Sequence, residues 1–160
     1  MQRKLGLTAV LVVALAVAGY AQKPDFSGVW TPDAPAAAPG GGGGGGRGMA
    51  PGPMTVTHKG DTLTIERSMG ENKMTSTYKL DGTESVNKMM GRGGEVETKS
   101  TAKWDGSKLT IVTKQAAQDG TVRESTQTWS LEGGNLVIDS TRTGREGAPV
   151  TTKTTYKKTT

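Results

Sequence analysis

The chain has no cysteine and, in 160 residues, one histidine and one phenylalanine. Without cysteine there is no disulfide, no thiol nucleophile and no thiolate metal site, so packing and strand pairing must carry the stability. The single histidine, His58, stands beside the turn signal Lys59-Gly60-Asp61, and no Ser/His/Asp arrangement can be assembled around it. It has no cysteine or second histidine with which to share a metal ion. The acids Glu95 and Glu97 alternate with Val96, which puts them on a solvated face rather than in a catalytic pair. The chain therefore reads as a non-enzyme, with no catalytic residues, no metal and no cofactor expected. Nor is there a basic block: the formal charge of +5 is spread among interspersed acids, which argues against a nucleic-acid partner. Apolar residues reach 32% and aromatics 4%, so the core must be thin. No segment carries the apolar stripe of a helix.

What is present begins with an address. Met1-Gln2-Arg3-Lys4 is cationic, residues 5–18 are apolar, and Gly19 and Ala21 supply small residues at the −3 and −1 positions of a cleavage site. That pattern predicts a secretory signal peptide over 1–21, because the apolar run falls short of the ~20 residues a bilayer requires. With Arg3 and Lys4 removed, the charge drops by two. The expectation is an exported bacterial protein, periplasmic or extracellular, with no stable membrane insertion after cleavage. Residues 22–31 read as a first strand and 32–53 as a disordered Gly/Pro/Ala-rich loop around an unbroken glycine run at 40–46. No Lys-Ser/Thr follows those glycines, so they are not a phosphate loop. Residues 54–160 form the remainder of a single β-barrel domain.

From Met54 onward the pattern has period two. Met74, Ser76, Tyr78 and Leu80 share one face, and Val96, Thr98, Ser100, Ala102 and Trp104 another. Hairpin chemistry at Lys59-Gly60-Asp61, Asp81-Gly82, Asp105-Gly106, Asp119-Gly120 and Glu132-Gly133-Gly134 divides the chain. The resulting strands are 26–31, 54–59, 62–67, 73–80, 83–89, 95–104, 107–115, 121–131, 135–143 and 149–158. Such a meander with one apolar face must close on itself or find a second layer. The expected fold is an all-β, antiparallel up-and-down meander of about ten strands in a closed or nearly closed barrel, with a two-sheet β-sandwich as the alternative.

Phe26-Ser27-Gly28-Val29-Trp30 resembles the first strand of the intracellular lipid-binding (fatty-acid-binding) proteins, within the wider calycin group that includes lipocalins. The ten-strand count agrees with that family, and the segment from Lys103-Trp104-Asp105-Gly106 to Tyr156-Lys157 resembles its last strands. Phe26, Gly28 and Trp30 are thus the barrel signature. The Asp-Phe-Ser-Gly-x-Trp start is also similar to that of small secreted proteins of environmental bacteria. The resemblance implies a ligand held inside the barrel. Two departures limit it. The family's helical lid is replaced here by the 32–53 loop, and its Arg-x-Tyr carboxylate site has no counterpart. Lys153-Thr154-Thr155-Tyr156 has the wrong spacing, and Trp129 stands where the other inner arginine belongs.

Turn order in a meander puts Gly60, Gly82, Gly106 and Gly133 at one end and the loops 68–72, 90–94, 116–120 and 144–148 at the other. Inward rows are apolar towards the first end and polar towards the second, which predicts a plugged end and a wetter, open end. Extending each row to the open end nominates Arg67 (after Leu63 and Ile65), Lys88 (after Val86), Arg142 (after Ser140) and Arg123 (with Trp129 inward). With Tyr78 and Trp104 these are the candidate ligand-binding residues for a small apolar or anionic amphipathic molecule. The function expected is a non-catalytic binding protein. The alternative is a periplasmic or surface β-module with a side-chain-filled interior and no ligand.

Overall fold

The computed structural model describes residues 23–33, 52–69, 72–91, 94–117, 120–144 and 147–159. The expected signal peptide and the glycine run at 40–46 lie outside these residues. Ten antiparallel strands follow one another: β1 Gly28–Pro32, β2 Met54–Lys59, β3 Thr62–Met69, β4 Asn72–Lys79, β5 Glu84–Gly91, β6 Gly94–Asp105, β7 Lys108–Ala116, β8 Val122–Glu132, β9 Asn135–Thr143 and β10 Pro149–Thr159. There is no helix among the described residues. Thr and Val at alternate positions favour the extended backbone, and the tight turns cut it at the glycines that the sequence marks.

The strands form one sheet in the order β4-β3-β2-β1-β10-β9-β8-β7-β6-β5. The first and last strands pair in the middle of that order, with Trp30 opposite Lys158 and Pro32 opposite Tyr156. The sheet curls until β4 and β5 face each other, giving a nearly closed barrel rather than a sandwich. Every consecutive pair from β5 to β10 makes a ladder, but β4 and β5 make none. The barrel therefore has a single seam.

Strand β1 differs from expectation. It starts at Gly28, two residues later than the pattern suggested, and includes Pro32, which the sequence placed in the loop. Gly28 has φ +146°, a backbone region that side-chain-bearing residues avoid, and a Cβ there would lie 2.5 Å from the Lys158 Cε. This bend takes Phe26 out of the ladder and lays it across the end of the barrel. The core that it meets includes Trp30, Leu63, Leu80, Leu109, Trp129 and Leu136, all buried. Apolar burial is thus concentrated towards the tight turns. It comes from few residues, as the composition requires.

Candidate functional site

The closed end is built around Phe26. Its ring lies parallel to Trp104, with centroids 5.7 Å and planes 6° apart, edge-on to Trp129 at 5.8 Å, and stacked on His58 at 6.2 Å. The Trp30 Nε1–H donates to the Phe26 carbonyl at 2.8 Å, so the first and third residues of the Phe-x-Gly-x-Trp motif are tied across the glycine. Ser27 fastens the same segment to β2: its Oγ accepts the His58 N–H at 3.0 Å and lies 3.3 Å from the His58 carbonyl. Asp25 caps the Ser27 N–H at 2.9 Å, and its Oδ1 lies 3.6 Å from His58 Nδ1. Those Ser27 hydrogen bonds, side chain first, hold the Asp25 carboxyl below its usual value. Lys23 covers the outer face of Trp104 at 5.6 Å. Trp104, nominated for ligand contact, is therefore a packing residue of the plug.

Arg67 lies further along the β3 inner row, after Leu63 and Ile65, opposite Met54 on β2 and Met74 on β4. It is half-buried, and its Nη2 approaches the Met54 Sδ at 3.6 Å. No carboxylate among the described residues is within ion-pair distance of it. Two phenols share its surroundings. Burial pushes the Tyr78 hydroxyl above its ordinary value, opposed by a Ser76 hydrogen bond and then by the Arg67 charge. Burial likewise raises Tyr156, again opposed by Arg67. Strands β3, β4 and β10 thus bring one cation and two neutral phenols into a common interior environment. Sequence reasoning nominated Arg67 and Tyr78 but missed Tyr156. It measured that residue against an Arg-x-Tyr spacing, whereas the arginine beside it comes from β3 and not from its own strand.

The other nominated cations stand apart. Arg123 and Arg142 are exposed near the loop end of β8 and β9. They hold the row positions of Trp129 and Ile138, with Ser125 opposite Arg142 and Gln115 opposite Arg123. Lys88 is a correction. It lies on the outer face, where its Nζ is 2.8 Å from Glu95, and Val86 beside it is 53% exposed. The inward row of β5 is Ser85 and Asn87, both 7% exposed. Choosing the apolar Val86 as the inside residue inverted the strand. The reason is physical: this row has a seam to bond, and an amide and a hydroxyl do that where a valine cannot.

The expected wetness of the polar rows also needs correction. Thr98 and Ser100 are each 2% exposed, as buried as the core. Ser100 shares a hydrogen bond with Thr113 at 2.9 Å, and Thr98 donates to the Asn87 carbonyl at 3.2 Å. No buried side-chain nitrogen or oxygen among the described residues lacks a partner. A groove of about 250 Å³ lies outside the barrel, along Val29, Thr55, Glu66, Ser68 and Lys73 on the outer face of β1 to β4. None of the nominated residues lines it.

No protein-family profile matches the chain, and no curated protein matches it. Solved structures do. The chain is similar to the REP1-NXSQ fatty acid transporter at 15% identity, covering 84% of this chain and 96% of that one, with a TM-score of 0.55. It is also similar to zebrafish ileal bile acid-binding protein complexed with cholic acid (26% identity, 67% and 72% covered, TM-score 0.49). A third is apo lipid binding protein 8 of Caenorhabditis elegans (15% identity, 67% and 70% covered, TM-score 0.49). The chain has a calycin-like fold, a nearly closed ten-strand β-barrel of the type on which these lipid-binding proteins are built.

Proposed function

We propose that this is an exported, non-catalytic binding protein that holds a small amphipathic molecule inside the barrel, its acidic head against Arg67. The observation that carries the reading is the half-buried Arg67 guanidinium, which has a thioether for its hydrogen-bond partner and no carboxylate. A cation in a low-dielectric site is costly unless an anion or several acceptors satisfy it. An incoming carboxylate or sulfonate would supply both, with the neutral Tyr78 and Tyr156 hydroxyls as additional donors. The fatty acid transporter of the same fold makes a long-chain acid the first ligand to try. Export rests on the cationic and apolar pattern of residues 1–21.

Titration with an anionic environment-sensitive lipophilic probe, beside its uncharged ester, tests this. Arg67→Ala is expected to weaken the acid by about tenfold or more, the value of a charge-assisted hydrogen bond at ~1.5–3 kcal/mol, and to leave the ester unchanged. Equal losses for acid and ester would remove Arg67 from the reading. Absence of saturable binding by either probe would favour the second reading, a β-module with a filled interior. One observation already favours that alternative: the buried polar side chains are satisfied among themselves.

A further inference from the structure

Strands β4 and β5 are consecutive in the chain and joined by a short turn, yet no backbone ladder connects them. Three hydrogen bonds from two side chains cross the gap instead. The Thr77 N–H donates to Asn87 Oδ1 at 2.7 Å, Asn87 Nδ2 donates to the Thr77 carbonyl at 3.0 Å, and the Lys79 N–H donates to Ser85 Oγ at 2.9 Å. The Asn87 carboxamide stands in for a peptide group, presenting a donor and an acceptor to one residue of the facing strand. Beyond Thr77, towards Lys73 on one side and Met89 on the other, no hydrogen bond crosses among the described residues.

We propose that this seam is a lateral gate through which the barrel interior opens, bolted by Asn87 and Ser85. Separating any other strand pair breaks a continuous ladder of backbone hydrogen bonds. Separating β4 from β5 breaks side-chain bonds whose partners water can replace at once. The residues just inside matter equally. Ser85, Asn87, Thr98 and Ser100 are hydroxyl or amide side chains, so wetting them exposes little apolar surface. The far end of the seam is held by Leu80, which is buried and whose N–H donates to the Asp61 carbonyl at 2.8 Å. The gate therefore hinges at the Leu80 end and parts from the Lys73 end. Arg67 lies one strand from the gap, since β3 pairs with β4 through Arg67 and Met74. As an access route to Arg67 the gate rests on the ligand reading above; as the opening element of the barrel it does not.

Native-state hydrogen exchange followed by NMR decides the second point with the unaltered protein. The amides of Thr77 and Lys79 are expected to exchange at least about 100-fold faster than the most protected amides of the β7–β8 ladder, by an opening less sensitive to denaturant. In Asn87→Ala the Thr77 amide is expected to speed up by roughly tenfold more than those ladder amides, and Ser85→Ala should do the same at Lys79. Exchange of Thr77 and Lys79 only through global unfolding would overturn the gate. Stopped-flow binding of the anionic probe decides the first point: in Asn87→Ala, association and dissociation should rise by the same factor, with Kd within about twofold. Faster seam exchange with unchanged binding rates would mean that ligand reaches the interior elsewhere, and the gate would fail as an access route. If the unaltered protein binds no probe, the ligand reading fails, and the exchange measurement still decides whether the seam opens.

Discussion

Phe26 and Trp104 lie face to face, 5.7 Å apart and within 6° of parallel, although 78 positions separate them in sequence and neither is paired to the other's strand. That contact shuts one end of the barrel with the chain's only phenylalanine. In a protein with so few aromatics, such a plug should carry an unusual share of the stability. Phe26→Ala is expected to lower the unfolding free energy by about 3–5 kcal/mol, the range for losing a buried aromatic. Urea titration measures it, and the emission of Trp104 and Trp129 should shift to the red as water reaches them. A loss below about 1 kcal/mol would mean that the end is closed by the ladder alone.

Gly28 separates two causes that a substitution usually mixes. Its φ of +146° strains any L side chain, while the Lys158 Cε that a Cβ would meet belongs to a flexible stem. The backbone should dominate. Gly28→Ala is expected to cost about 1–3 kcal/mol, and adding Lys158→Ala should recover only a small part of it. Full recovery in the double variant would assign the cost to the lysine contact instead.

Tyr78 and Tyr156 predict an alkaline limb of stability. Burial raises both phenols, so the folded state keeps its protons where the unfolded chain has begun to lose them. The stabilisation is complete below the unfolded value near pH 10 and declines as pH rises through the folded values. Spectrophotometric titration should show both tyrosines ionising late. Removing the Arg67 charge should delay them further, so Arg67→Ala moves the phenolate signal to higher pH. An unmoved signal would place the guanidinium away from both rings.

Asp25 acts at the opposite extreme. Its carboxyl is lowered, first by the Ser27 hydrogen bonds, so its contribution is present above the unfolded value near pH 4 and fades as pH falls through the folded value. The side chain is 72% exposed, and the effect is correspondingly small. Asp25→Asn should flatten the acid limb slightly and leave stability at neutral pH within about 0.5 kcal/mol. Acid unfolding curves of the two proteins check it.

Lys88 pairs with Glu95 across an open surface, and exposed pairs contribute little. Lys88→Ala should change stability by less than about 0.5 kcal/mol and leave probe binding untouched. Weakened binding of the acid but not the ester would return Lys88 to the site.

The sequence alone determined where the strands run. Period-two alternation and the glycine turns put every strand end within two residues of its observed place, because both signals are local and every hairpin is closed by its own turn. The meander order and the apolar plug at the tight-turn end follow from the same signals. What alternation cannot say is which of two faces looks inward. On β5 the apolar residue, Val86, faces water and the polar pair faces in, because the neighbour across the gap offers bare backbone rather than a side chain. The tertiary structure alone decided three things: the Asn87–Thr77 seam, the bend at Gly28 that turns Phe26 from a strand residue into a plug, and the meeting of Arg67 with Tyr156. Each joins groups that no local pattern relates, and each exists only once the sheet has curled far enough for its two edges, its end and its opposite walls to come within reach.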